Sequence, residues 1–125
     1  TWEVTSAVVL SPTELWLAAN AHVEPRGRVP LLARWDGARF TLERPPTEAG
    51  LEQLWAERPA LLWATDLEGG LWRGRGERWQ RVEGPPRGRD DRVTAVWAPA
   101  ADDVWIVTSL GRENRSVVFH GRVGP

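Results

Sequence analysis

The sequence predicts an all-β chain assembled from a repeated antiparallel unit, and three observations carry that expectation. First, Val93–Thr108 reads as two short strands joined by a polar turn, with Trp97 in one strand and Trp105 in the other. Second, the stretch recurs: with Trp105 set over Trp63 and Trp16, the residue twelve positions upstream is apolar each time, namely Val93, Leu51 and Val4. Third, the apolar runs are short and bounded by Gly, Pro, Asp and Asn, as turn-punctuated strands are. Self-similarity at this period indicates propellers, solenoids or arrays.

The elements follow in order. Val4–Leu10 is a β-branched run suited to a buried strand, Ser11-Pro12-Thr13 carries turn chemistry, and Glu14–Ala19 is the second strand. Asn20–Pro30 is polar, with two Pro and a Gly, and reads as a long loop or an extended hairpin end. Leu31–Trp35 and Arg39–Glu43 are the third and fourth strands. Asp36-Gly37 between them signals a type I′ hairpin, which needs positive φ at both centres. Pro45-Pro46 then ends the unit, since Pro cannot extend a ladder.

The second unit places strands at Leu51–Ala56, Ala60–Thr65, Leu71–Gly74 and Arg78–Val82, and closes on Gly84-Pro85-Pro86. Leu51, Leu54 and Trp55 also fit helical spacing, but their gap-free alignment with Val4–Val8 and Val93–Trp97 selects a strand. After the polar connector Arg87–Asp91, the third unit has strands at Val93–Ala98, Asp103–Thr108 and Ser116–His120, with Ser109–Arg115 as a loop. No fourth strand is predicted there.

The composition narrows the function classes. The 125 residues are 42% apolar and 26% charged, within the globular range. Nine Trp stand beside no Tyr, Met or Cys, and every positive charge is Arg. A net charge of −1 with interspersed signs gives no basic footprint for nucleic acid and no polybasic membrane surface. No apolar run approaches the roughly eighteen residues that span a bilayer. Without Cys there is neither a disulfide nor a thiolate metal site. A start at Thr1 is compatible with a cleaved signal peptide or an excised fragment.

The pattern V-x-A-V-W, then D-D-V-W-I-V, then V-F-H-G, with its W-D-G and G-G-L-W variants, resembles the blades of bacterial Trp-rich β-propellers, of the kelch-like and two-component-regulator kinds. Glu14-Leu15-Trp16 and Leu61-Leu62-Trp63 depart from Asp-Asp-Val-Trp but keep the apolar–Trp pair. The resemblance implies a partial propeller of nearly three four-stranded antiparallel blades, at about residues 4–46, 51–86 and 93–125, within one domain spanning 1–125. It also implies an extracytoplasmic setting. Blades bury both faces against their neighbours, which makes Trp16, Trp63 and Trp105 packing residues. Trp35, Trp72 and Trp79, on outer strands, are the better placed for stacking on a sugar.

Closed propellers have about four to eight blades, so fewer than three expose sheet edges and Trp-rich faces. The expectation is completion by self-association or by other chain segments, with Thr1-Trp2-Glu3 one donor for the missing strand. The leading function is a non-enzymatic propeller module for protein binding or scaffolding; the alternative is a lectin-like, carbohydrate-binding propeller. A hydrolase or lyase would need carboxylates clustered on one face.

Chemistry-bearing residues are few. His22 and His120 lack metal-ligand spacing and read as surface or turn-supporting. Asp102-Asp103 reads as a hairpin cap and Asp90-Asp91 as a solvated loop. No nucleophile elbow or phosphate-binding glycine motif is present, and no catalytic residue, metal or cofactor is expected. By the resemblance, the loops joining second to third strands and the connectors between units share one face. The polar residues there that are candidates for binding are His22, Arg26, Arg28, Arg112, Asn114 and Arg115.

Overall fold

A computed structural model describes residues 1–84 and 88–123; of these, 63% are strand and none is helical. Pro85 and Pro86 of the second closing signal, and Arg87 of the connector, lie outside the described residues.

Among the described residues, eleven strands form three antiparallel meanders. The first is a four-stranded sheet in chain order: β1 (Trp2–Ser11), β2 (Glu14–Val23), β3 (Gly27–Trp35) and β4 (Phe40–Glu43). The second contains β5 (Leu51–Glu57), β6 (Leu61–Asp66), β7 (Leu71–Gly74) and β8 (Gln80–Arg81). The third contains β9 (Arg92–Ala100), β10 (Asp103–Leu110) and β11 (Arg115–Gly121). The second and third join in one curled seven-stranded sheet, ordered β11-β10-β9-β5-β6-β7-β8. Their junction is a parallel pairing of β5 with β9 at Glu57 and Ala98. Among the described residues, no strand follows β11.

Local differences from the sequence reading have physical causes. Of the two readings of Asn20–Pro30 the structure has the extended hairpin end, because β2 and β3 stay in register from Asn20 opposite Pro30 to Val23 opposite Gly27. The Asp36-Gly37 turn is not type I′. Gly37 has φ 98°, but Asp36 is not in the left-handed region, and four residues separate the Trp35–Phe40 pair. The Asp36 carboxylate instead accepts the N–H groups of Arg39 at 3.0 Å and Ala38 at 2.9 Å, an Asx cap that replaces the tight turn. Trp2 and Glu3 are already paired with Ala21 and Asn20 inside β1, so they are not a free donor strand.

The three meanders enclose two cores. Between the first and second lie Leu10, Trp16, Ala18 and Leu32 on one side and Leu51, Leu54, Leu62 and Ala64 on the other. Between the second and third lie Trp63 and Leu71 against Val93, Val96, Ala98, Val104 and Ile106. Residues alternate across a strand, so β6 sends Leu62 and Ala64 into one core and Trp63 into the other. This is why the middle meander reads as continuously apolar.

Side chains stitch the first seam. The Asn20 amide donates to the Leu51 carbonyl at 2.7 Å and accepts the Leu51 N–H at 2.8 Å, while Ser6 Oγ accepts the Leu54 N–H at 3.0 Å. The second seam uses backbone: Arg58 N–H donates to the Ala98 carbonyl at 3.0 Å.

Candidate functional site

Three tryptophans at the aligned second-strand positions each donate to a carboxylate, and each carboxylate has a second side-chain partner, Arg in two cases and His in the third. Trp16 Nε1 donates to Glu14 at 2.9 Å, and Arg75 pairs with that Glu14 while lying over the Trp16 ring. Trp105 Nε1 donates to Asp103 at 3.0 Å, and His120 Nε2 lies 2.8 Å from the same oxygen. In both, acid and Trp are two residues apart on one strand and therefore on one face. The middle meander has Leu61 at that position. There the acid is Glu57, from the end of β5: it accepts Trp63 Nε1 at 2.9 Å and the forked guanidinium of Arg73 at 2.8 and 2.6 Å.

The three settings differ in burial. Trp16 and Trp63 are each 1% exposed, whereas Trp105 is only half-buried. Trp105 lies on the outer face of the third meander, stacked on His120 at 3.8 Å between ring centroids and 6.3 Å from Trp97. Trp97 is 64% exposed. Val107 and Val118, paired across β10 and β11, continue that face. Asp103 therefore holds two rings and caps no turn.

The first meander has an open face of its own. Cross-strand partners share a face, and the register groups Val4, Ala19 and Leu31; Ala7, Leu17, Ala33 and Leu42; and Val9, Leu15, Trp35 and Phe40. Every one of these side chains is apolar. Val4, Val9, Phe40 and Leu42 are largely exposed, Leu42 at 70%. The opposite face of the same sheet carries Trp16, Ala18 and Leu32 into the first core.

The sequence-derived candidates fall into two groups. His22, at the end of β2, lies 2.7 Å from Glu24. Arg26 sits at the hairpin tip, and Arg28 in β3 pairs distantly with Glu3 at 3.9 Å. The other group forms the β10–β11 turn: Arg112 donates to Asp90 at 2.9 Å and Arg115 to Glu113 at 2.6 Å. Asn114 occupies the left-handed region at φ 49°, a conformation that Asn tolerates. No described cavity is lined by members of both groups.

The rim that carries these loops is nonetheless continuous. Leu67 N–H donates to Gly50 at 2.7 Å beside the Asn20–Leu51 bonds. A cleft of about 210 Å³ separates the Asp66–Gly69 turn from Arg89–Val93. Asp91 then accepts the N–H groups of Gly88 at 2.6 Å and Gly111 at 3.2 Å. A side chain at Gly111 would collide with the Asp90 backbone. Asp90 and Asp91 thus clasp the connector to the last turn; they are not simply solvated.

Among the described residues, no group of three His, Asp or Glu is placed to hold a metal, and no helix is long and apolar enough to cross a membrane. Of the outer-strand tryptophans, Trp72 donates its indole N–H to Asp66 at 2.8 Å, Trp79 packs against the first core, and Trp35 contacts Phe40 at 5.1 Å. The chain matches no family, no curated protein and no solved structure. What the arrangement offers chemically is one apolar sheet face on the first meander and one aromatic face on the third that also carries the Asp103–His120 pair.

Proposed function

We propose that the chain is a segment of a β-propeller, its three meanders being successive blades, and that it acts without catalysis as a protein-docking scaffold. The observation that supports this reading is a single comparison of aligned positions. Leu51 and Val93 are 0% and 7% exposed against the preceding meander, whereas the aligned Val4 is 58% exposed. Ala56 and Ala98 pack into the cores, whereas Val9 is 59% exposed. Leu54 with Val96, Leu62 with Val104, and Ala64 with Ile106 are core residues; Ala7, Leu15 and Leu17 are not. A surface patterned as an interior, at the positions used twice over as an interior, supports docking against another protein sheet.

Two measurements test the reading. At sub-micromolar dilution the apolar face of the separated chain is expected to raise 8-anilinonaphthalene-1-sulfonate fluorescence, and Leu42→Glu to remove most of the rise. On a glycan array no binding is expected. Glycan binding lost in Trp35→Ala and Trp79→Ala, or dye binding indifferent to Leu42→Glu, would replace protein docking with the lectin-like alternative or remove it.

A further inference from the structure

We infer that the sheet docking on the open face of the first meander is the open face of the third meander in a second copy of this chain. The contact is head to tail, and two copies close one ring. The inference rests on the propeller reading above and names its partner.

Each internal seam joins two unlike faces. One face presents the second-strand Trp together with the residue four positions after the first aligned apolar position: Val8 with Trp16, then Trp55 with Trp63. The other presents Leu51 and Leu54, or Val93 and Val96. The chain carries one unused copy of each kind. Trp97 and Trp105 continue the first series on the outside of the third meander, and Val4 and Ala7 begin the second on the outside of the first. The unused faces are complementary to each other, not to themselves. Such a contact is heterologous, and it closes into a ring when its rotation permits.

Two quantities select two copies. Closed propellers hold about four to eight blades; one copy supplies three, two supply six and three supply nine. A four-stranded face about seven residues long, with strands ~4.8 Å apart and ~3.3 Å per residue, covers roughly 440 Å². With the three-stranded face of the third meander covering about 330 Å² on the same spacing, a closed pair then uses about 770 Å² of each chain, near the ~800 Å² per partner of a stable complex.

Sedimentation equilibrium and light scattering, with far-UV circular dichroism as the folding control, test the proposal. The wild-type chain is expected at about 28 kDa, twice its 14.0 kDa. Val9→Glu on one face and Trp97→Glu on the other, both at exposed positions, are each expected to give a folded species at 14.0 kDa. Leu42→Glu and Val118→Glu repeat the test if either first variant unfolds. Mixing a Val9→Glu chain with a Trp97→Glu chain restores one intact contact, so a two-chain species returns at higher concentration. A Trp97→Glu chain that stays dimeric would overturn the proposal in favour of like faces meeting. A ladder of larger species would overturn the closed pair. A wild-type chain that is monomeric at 100 μM yet positive for the dye at dilution overturns the second copy and leaves the docking reading standing; absence of dye binding sinks the reading itself.

Discussion

The surroundings of Trp63 and Trp105 show what a packed seam does that a free face does not. Both residues follow the same apolar pattern, and both donate an indole N–H to a carboxylate at close to 3 Å. Around Trp63 the next meander arrives, and the acid is Glu57, 2% exposed and gripped at both oxygens by Arg73. Around Trp105 no meander arrives, and the acid is Asp103, half-exposed and shared with an exposed His120. The apolar pattern and the indole hydrogen bond are alike although the acids come from different places; neighbourhood sets the energy. A buried carboxylate is tolerable only while its partner is present, whereas an exposed pair is largely solvated either way.

The largest expected effect tests that contrast directly. Glu57→Ala strands the Arg73 guanidinium and the Trp63 N–H inside the second seam and should destabilise the fold by about 3–5 kcal/mol. Asp103→Ala removes the corresponding acid at the free face and should cost about 0.2–1 kcal/mol. Urea denaturation of the two variants at a concentration where the chain is monomeric decides the matter. Equal losses would mean that the two acids do the same job and the comparison is empty.

A smaller effect sharpens the same comparison within the packed region. The first seam lacks the backbone bond that ties β5 to β9 and depends on the Asn20 amide at Leu51. Asn20→Ala leaves the buried Leu51 N–H unpaired and its carbonyl with only the longer bond from Thr5 Oγ1 at 3.3 Å, a loss worth about 1–3 kcal/mol. Amide hydrogen exchange should locate the loss, with Leu51 losing protection while Ala98 and its neighbours in β9 keep theirs. Uniform loss across both seams would show that the seams do not open separately.

Most of the strands were legible in the sequence because the period-two and turn signals are local. Leu71–Gly74 falls where Gly69-Gly70 and Gly76 punctuate the chain, and the strand at Leu51 was recoverable only through its alignment with Val4 and Val93. The site was less legible. Glu14-x-Trp16 and Asp103-x-Trp105 are visible as acids two residues before a Trp, a spacing that a strand turns into contact. Glu57 was invisible as a partner of Trp63, since that contact crosses a hairpin. Nor does sequence say which faces are covered. Val4, Leu51 and Val93 look alike in the chain, and only the stacking order separates the exposed one from the two buried ones. His22, Arg26 and Arg28 are grouped with Arg112, Asn114 and Arg115 only by the propeller resemblance, and the fold places them at two separate hairpin ends.

The smallest effect lies at the free end of the first meander, where a charge works through geometry without burial. The backbone N–H of Arg39, and then that of Ala38, hold the Asp36 carboxyl below its ordinary value of 3.8. Because these donors favour the ionised form, Asp36 stabilises the turn fully above that ordinary value, and the contribution disappears as pH falls through the lower folded value. Asp36→Asn keeps the shape and one acceptor but has no charge to lose. The melting temperature of the wild type should therefore exceed that of the variant at pH 6, and the two should converge near pH 2. A constant gap between pH 6 and pH 2 would assign the turn to shape alone. A gap that widens in acid would reverse the sign and exclude the Asx cap as its source.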